Sequence, residues 1–226
     1  MFCLSGTGST LSCEVFPPLD VSDGAYEIGL VDLTTYNSIP NIEKDVNDRF
    51  YYGQHIDLRI SEGSYEIEDL ERYIKAHLGD KAAAGFSLKA NNNTLKSEIM
   101  ADEEIDFRKE KTIGPILGFG KRLLQPHLKH ESDMEVNIIK VDTIRVECNI
   151  VRGSFKNGVE GHIVHEFYPT SAPGYKIVET PRTIIYLPVN CRTINNITVA
   201  LKDQDSNPIN LRGENLTLRL HLRKSV

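Results

Sequence analysis

Tryptophan is absent from this chain of 226 residues, and cysteine and methionine are scarce, at four and three residues. Without Trp, the chain lacks the aromatic platform of many sugar-binding sites. No apolar run approaches the roughly 20 residues of a membrane-spanning helix, so we expect no membrane insertion. The first residues, MFCLSGTGSTLS, have neither a basic segment nor an apolar core, so we expect no secretory signal peptide. We therefore predict a protein made in a reducing compartment, the cytoplasm or nucleus, and not secreted.

Familiar catalytic signatures are also missing. The sequence contains no GxSxG, HExxH or CxxC motif. Cys3, Cys13, Cys148 and Cys191 do not have the spacing of a metal site. We expect free thiols, and a bridge between Cys148 and Cys191 stays open as an alternative. We predict that the chain is not an enzyme and has no catalytic, cofactor-binding or metal-binding residue.

One glycine-rich stretch, IGPILGFGKR (113–122), invites comparison with a phosphate-binding loop. That motif requires Gly where Pro115 stands and Ser or Thr where Arg122 stands. No strand leading into a helix is predicted there either. A turn buried through its apolar residues is the simpler interpretation.

Two pairs of histidines lie near acidic residues, but neither has a metal-binding spacing. His162 and His165 lie three apart on a predicted strand and so point to opposite faces. His127 and His130 share a predicted loop with two carboxylates, in a pattern that matches no known ligand set. The carboxylates at positions 103, 104 and 106 are explained by a solvated, charged turn.

The formal net charge of −6 argues against a dedicated nucleic-acid-binding protein. Arg219, Arg223 and Lys224 place positive charge on one face of the last predicted strand, without interleaved aromatic residues. Such a pattern supports nucleic-acid binding weakly and fits a protein interface equally well. We predict no specific nucleic-acid partner.

Alternation of apolar and polar residues is the clearest structural signal. Polar residues separate Leu216, Leu218, Leu220 and Leu222, which predicts a strand with one buried face. Similar segments recur along the chain. Strands are predicted at 25–33, 56–60, 86–90, 94–100, 138–150, 161–167, 176–187, 193–202 and 216–222. Repeated half-buried strands predict an all-β sandwich of two antiparallel sheets.

A single segment has helical periodicity instead. Its apolar stripe consists of Ile67, Leu70, Ile74 and Leu78. Ser64 is the predicted N-cap, and Gly79 is placed to end the helix. We expect this amphipathic helix to cover one end of the sandwich.

Residues 1–20 are rich in Gly, Ser and Thr and end in FPPLD, where two prolines favour an extended conformation. We interpret them as an N-terminal arm attached to a single domain of residues 21–226. The apolar side chains of such an arm are expected to bind a neighbouring subunit, together with the loops at 40–48, 101–111 and 119–131. The candidate assembly contacts in the arm are Phe2, Leu4, Leu11, Val15 and Phe16.

Eight segments spread over nearly the whole chain carry a family resemblance. They are YNSIPNI (36–42), EGSYEIEDLERYI (62–74), NNNTLKSEI (91–99), IGPILGF (113–119), VDTIRVECNI (141–150), PGYKIVETP (173–181), YLPVNCRTINNITVALKDQ (186–204) and LRGENLTLRLHLR (211–223). In order and number they resemble the minor capsid, or penton, protein of Maverick/Polinton elements, which are large DNA transposons related to adintoviruses and virophages. None of the segments is a mechanistic motif.

The resemblance implies a single jelly roll with eight main strands in two four-stranded sheets. It also implies a homopentamer at the five-fold vertices of an icosahedral shell, beside a double-jelly-roll major capsid protein, and hence a location in the virion. Some related pentons carry an inserted outer domain, for which we expect little room here. The alternatives are a cellular jelly-roll binding module, of the oligomeric ligand or carbohydrate-binding type, and a cupin-like enzyme, which needs clustered His and carboxylate ligands.

Overall fold

The computed structural model describes residues 1–225 and contains two compact units. The sandwich unit consists of Met1–Ile39 and the chain from Val141 onward, and the inserted unit consists of Pro40–Lys140. This differs from the expected single domain over residues 21–226 with little room for an insertion. The physical reason is that residues 40–140 bury a second set of apolar side chains around a core of their own.

Most of the regular structure is β-strand. In chain order the strands are β1 (Phe2–Thr7), β2 (Thr10–Asp20), β3 (Tyr26–Tyr36), β4 (Arg49–Tyr52), β5 (Ile56–Arg59), β6 (Ser87–Asn91), β7 (Lys96–Met100), β8 (Ile105–Asp106), β9 (Leu123–Leu124), β10 (His130–Glu131), β11 (Ile144–Cys148), β12 (Ser154–Lys156), β13 (Val159–Gly161), β14 (Ile163–Phe167), β15 (Lys176–Glu179), β16 (Leu187–Pro188), β17 (Thr193–Lys202) and β18 (Asn215–Lys224). The helices are α1 (Ile67–Leu78), α2 (Asp80–Gly85) and a 3-10 turn at Gly114–Leu117.

Eight strands of the sandwich unit form two antiparallel sheets around one core. The first sheet has the order β1-β18-β3-β15, with β16 added to β3, and the second has the order β14-β11-β17-β2. In chain order the eight strands are β1, β2, β3, β11, β14, β15, β17 and β18. The first pairs with the eighth, the second with the seventh, the third with the sixth and the fourth with the fifth. This nested pairing is the jelly roll, as expected.

The predicted N-terminal arm is part of this jelly roll. β1 pairs with β18 from Phe2 to Thr7, and β2 pairs with β17. The prolines of β2 are compatible with a sheet because β2 is an edge strand, whose outer N–H groups have no partner to lose. Alternation of Leu11, Cys13 and Val15 is the sequence signal that identifies β2 as a strand.

The last strand agrees with its prediction. Leu216, Leu218 and Leu220 are each 0% exposed, and Leu222 is partly buried against the same core. Arg219, on the opposite side of the strand, is exposed. The alternation therefore does place one face of β18 in the core.

The inserted unit combines two small sheets with α1. The sheets have the orders β10-β7-β6 and β5-β4-β8-β9. The predicted stripe of α1 is confirmed, because its four residues are all buried, and they belong to the core of the inserted unit and not to the sandwich core. Helix α1 begins after Glu66, whose N–H donates to Asp69 Oδ2 at 3.2 Å, so Ser64 is not its cap.

Two loop predictions in this unit have different outcomes. Residues 113–119 form the expected buried turn, with Leu117 and Phe119 at 0% and 1% exposure. Residues 101–111, expected to be solvated, instead bury Ile105 and Phe107 at 0% and 1%. Ile105 and Phe107 point inward on either side of Asp106, while the charged residues at 108–111 are exposed. No helix within residues 1–225 has the length and apolarity to cross a membrane.

Candidate assembly surfaces

Phe16 is the predicted assembly contact that is most open to another molecule. Its side chain is 93% exposed, whereas Leu4 and Leu11 are 3% and 7% exposed, in the sandwich core. Phe2 and Val15 are partly buried against the same core. Because β1 and β2 are pleated strands, every second side chain turns inward, and four of the five predicted contacts lie on the inward side.

Phe16 lies in a bulge of β2. Glu14 is paired with Asn196 and Leu19 with Ile194, so the four residues between Glu14 and Leu19 face a single residue of β17. A bulge of this kind pushes the strand outward and re-aims its side chains. The bulge therefore explains why an aromatic ring projects from this edge.

Pro17 and Pro18 follow Phe16 and are also exposed. Neither has an N–H, so this part of β2 cannot donate hydrogen bonds to an added strand. Leu19 completes the exposed group at 39% exposure. We call Phe16–Leu19 the Phe16 edge; its chemistry favours side-chain contacts over strand addition.

The opposite edge of the sandwich is formed by β14 and β15, which end the strand orders of the two sheets. Its exposed side chains are largely aromatic: Tyr168 and Tyr175 are each 69% exposed, Val178 is 61% exposed, and Tyr36 on the neighbouring β3 is 45% exposed. We call these four residues the tyrosine edge. Large apolar side chains grouped on a surface are typical of interaction sites.

Asn37 holds the loop that carries two of these tyrosines. Its backbone N–H donates to Tyr175 O at 2.8 Å, and its carbonyl accepts from Gly174 N at 2.8 Å. Its side-chain amide donates to Ser171 O at 2.6 Å. These three hydrogen bonds tie the loop to the residue that follows β3. The sequence analysis did not identify this edge. A signal for it is present in YPTSAPGY (168–175), a loop-like segment that contains Pro and Gly and has a tyrosine at each end.

The charges beside the two edges are opposite in sign. Glu14 and Asp20 are exposed on β2, and hydrogen bonds from Ser22 lower the pKa of Asp20, which keeps it ionised. Lys176 is exposed on β15. Within residues 1–225, neither Glu14 nor Lys176 has an ion-pair partner, so each is available to a neighbouring molecule.

The cations on β18 are neutralised within the chain. Each pairs with an acidic residue of β3 or of the turn before it: Arg219 with Asp32, Arg223 with Glu27 at 2.6 Å and Lys224 with Asp23 at 3.0 Å. The hydrogen bond from Arg219 lowers the pKa of Asp32. Arg219, Arg223 and Lys224 are therefore paired within the chain and do not form a free basic face on β18.

The histidines and carboxylates noted in the sequence are dispersed. Two of the histidines contact backbone carbonyls: His162 that of Val151, and His130 that of Gln125. The other two contact carboxylates: His165 that of Glu179, and His127 that of Asp102. Asp106 pairs with Arg108 at 2.8 Å. No group of three His, Cys, Asp or Glu side chains within residues 1–225 is arranged to hold a metal ion.

All four cysteines are free thiols, so the bridge between Cys148 and Cys191 that the sequence left open does not form. Cys148 is fully buried in the sandwich core. Burial raises the pKa of its thiol to about 11, because a thiolate there would lose its hydration. At neutral pH Cys148 is therefore a protonated, apolar packing group.

Comparison with known proteins identifies the fold. No protein-family model matches the chain, and the search of curated proteins gave no match. The crystal structure of the mavirus penton protein matches with a TM-score of 0.50 and 10% sequence identity, over 99% of this chain and 99% of that chain. A chain of the Sputnik virophage structure gives a TM-score of 0.41 and 12% identity, over 96% and 97% of the two chains. The likeness to the mavirus protein shows a shared all-β fold.

Proposed function

We propose that this chain is a capsid structural protein, and within that class a penton subunit of a virus or virus-like element. One observation carries the proposal: the jelly roll exposes apolar side chains on two opposite edges, with unpaired charges of opposite sign beside them. Its fold likeness to the mavirus penton protein and the resemblance of its sequence to Maverick/Polinton pentons support the same role. The role uses binding surfaces and requires no catalytic group.

In the proposed assembly, the Phe16 edge of one subunit contacts the tyrosine edge of the next. The two surfaces differ from each other, so the contact is heterologous and generates a ring when the rotation between subunits closes. Phe16 would pack against aromatic side chains, and Lys176 would lie near Glu14 or Asp20 of the neighbour. Because the aromatic groups provide most of the apolar area, they are expected to dominate the binding energy.

Five copies around the axis would form a vertex of an icosahedral shell. The ring would be surrounded by a double-jelly-roll major capsid protein, and the protein would be located in the virion. These finer assignments extend the resemblance to Maverick/Polinton and adintovirus pentons. The four reduced cysteines fit production in the cytoplasm or nucleus of the host before assembly.

Native mass spectrometry of the purified chain tests the ring. We expect a complex of five times the 25.4 kDa subunit mass, and a five-fold ring in negative-stain electron micrographs. A trimer would instead favour an oligomeric ligand module. A chain that stays monomeric at high concentration, and also in the presence of its major capsid protein, would contradict the penton role.

Point variants test which edges make the contact. Phe16→Asp and Tyr175→Asp, on opposite edges, should each give a folded monomer, because both side chains are exposed. Circular dichroism verifies the fold, since loss of the ring by itself lowers the apparent melting temperature. A mixture of the two variants should remain unable to close a ring, since each retains one defective edge. Phe155→Asp is the matched control, because Phe155 is 67% exposed, lies on the β12–β13 hairpin and belongs to neither the Phe16 edge nor the tyrosine edge. Rings that survive both edge variants would exclude this contact.

A further inference from the structure

A groove in the inserted unit has an apolar floor and a basic rim. Its volume is about 530 Å³. Phe107 and Phe119 lie at its base, each 1% exposed, while Val46 and Met134 line it at 59% and 60% exposure. Val46 and Met134 are not among the buried residues that form the core of the unit.

Three lysines line the same groove: Lys109, Lys111 and Lys121. All three are exposed, and none forms an ion pair within residues 1–225. Lys109 Nζ lies over the Tyr51 ring, 4.5 Å from its centroid, so Lys111 and Lys121 are the most available of the three. The lining includes a single acidic residue, Glu110. In a chain with a net charge of −6, this is a local excess of positive charge.

The walls of the groove are fixed by backbone hydrogen bonds. Arg49 N–H donates to the Lys111 carbonyl at 2.8 Å, and Met134 N–H donates to the Gly118 carbonyl at 2.9 Å. Gly118 has a φ of +80°, and a Cβ there would lie 2.2 Å from Met134 O, so this close approach requires glycine. A site held open in this way loses little conformational entropy on binding.

We propose that this groove binds an acidic peptide segment of a partner protein, with an apolar side chain of the peptide inserted between Val46 and Met134. The lysines would pair with Asp or Glu on either side of that anchor. Charge complementarity identifies the occupant, since an acidic segment supplies carboxylate partners to lysines that have none and an apolar anchor covers the exposed Val46 and Met134. The inference does not depend on the proposed capsid role.

A nucleic acid fits the groove less well. Base stacking needs exposed aromatic faces, and both phenylalanines of the groove are buried. Arg122 follows Lys121, and its guanidinium would be suited to bind a phosphate, but it already pairs with Asp133 at 3.2 Å. The groove therefore offers charge without the stacking platform that single strands require.

Fluorescence anisotropy with the full chain tests the proposal. The probe is a short fluorescein-labelled peptide of Asp and Glu around a central Leu-Phe pair. The comparison peptide has Lys in place of every acidic residue. We expect the acidic peptide to bind with an affinity that falls as salt is raised, and the Lys peptide not to bind. The proposal would be overturned if both peptides bound equally well, or if neither peptide bound.

Two sets of variants separate a specific site from general charge. Lys111→Glu combined with Lys121→Glu should weaken binding about ten-fold or more, whereas Lys81→Glu combined with Lys89→Glu, with the same change in net charge, should change it less than about two-fold. Val46→Ser combined with Met134→Ser should also weaken binding, without any change in charge. All six residues are exposed, and circular dichroism verifies that each variant is folded.

Two results would refute a peptide site. Equal losses from the groove and control lysines would mean that the peptide responds to net charge alone. A single-stranded oligonucleotide that displaces the peptide, binds more tightly and depends on Lys111 and Lys121 would reassign the groove to nucleic acid.

Discussion

Leu4 on β1 lies directly opposite Leu218 on β18, and both side chains are buried, at 3% and 0% exposure. The two residues are separated by nearly the whole length of the chain. Their contact joins β1, an edge strand of the first sheet, to β18, the strand next to it. The first residues of the chain are consequently part of the sandwich core.

Replacement of Leu4 should therefore destabilise the sandwich unit. We expect Leu4→Ala to lower the free energy of unfolding by about 2–5 kcal/mol, because it leaves a cavity between the sheets. Phe16→Ala, on the same pair of N-terminal strands but exposed, should cost less than about 0.5 kcal/mol. Urea-induced unfolding at a fixed, low protein concentration measures both. A chain that begins at Val21 should lose the cooperative transition of the sandwich unit. Equal effects of the two substitutions would mean that β1 does not contribute to the core.

Substitution by Asp should prevent folding at Leu218 on β18 but be tolerated at the next residue, Arg219. Leu218→Asp buries a charge without a partner and should abolish soluble, folded protein. Arg219→Asp loses the pair with Asp32 at an exposed position and should leave the protein folded with only a small loss of stability. Soluble yield and thermal denaturation distinguish them. If both variants fold equally well, the register of β18 is misassigned.

Elements with a strong internal pattern could be predicted from the sequence. The predicted strand at 193–202 has the bounds of β17, and the four-residue stripe of α1 was found correctly. The strand β4 was missed, although Phe50 and Tyr52 point inward, because three consecutive aromatic residues show no alternation of apolar and polar side chains.

Features that depend on distant pairing could not be predicted. Whether Leu4 lies in an arm or in a core depends on a partner strand at the other end of the chain. Likewise, alternation of apolar and polar residues indicates that a strand has a buried face, but it does not indicate to which core that face belongs. The division into two units was therefore missed. Of the predicted assembly contacts, Phe16 is exposed because of a bulge, which is a property of the pairing of β2 with β17.

The pair between Arg219 and Asp32 should give a defined pH dependence. The pKa of Asp32 is lowered in the folded protein, so its contribution is present above its unfolded pKa of about 4 and is lost as the pH falls through the folded value. The stability difference between the wild type and Asp32→Asn should therefore be largest near neutral pH and shrink towards about pH 2. Urea midpoints over this range measure it. A difference that grows on acidification would contradict the assigned direction.

The buried thiol of Cys148 should resist alkylation in the native protein. Its pKa of about 11 keeps it protonated at neutral pH, and it has no access to solvent. Cys3 is exposed and should react with iodoacetamide first. Peptide mass spectrometry after labelling, with and without urea, gives the order of reaction. Native labelling of Cys148 as fast as that of Cys3 would show that the core opens readily.

The inserted unit should fold as a separate polypeptide. Its two ends are tied together within the unit, because Lys140 pairs with Glu43, and the Asn41 side-chain amide donates to the Ile138 carbonyl at 3.3 Å. Its core includes the aromatic cluster of Phe50 and Phe86, with ring centroids 5.7 Å apart.

We expect residues 40–140, expressed alone, to show dispersed amide NMR signals and one cooperative urea transition, with a stability of a few kcal/mol, on the order of that of other small domains. Phe50→Ala should remove that transition, since the ring is 0% exposed and the cavity would cost about 3–5 kcal/mol. Val46→Ala, at an exposed position of the same unit, is the control and should leave the transition nearly unchanged. A collapsed, dye-binding state without a cooperative transition would mean that the insertion needs the jelly roll in order to fold.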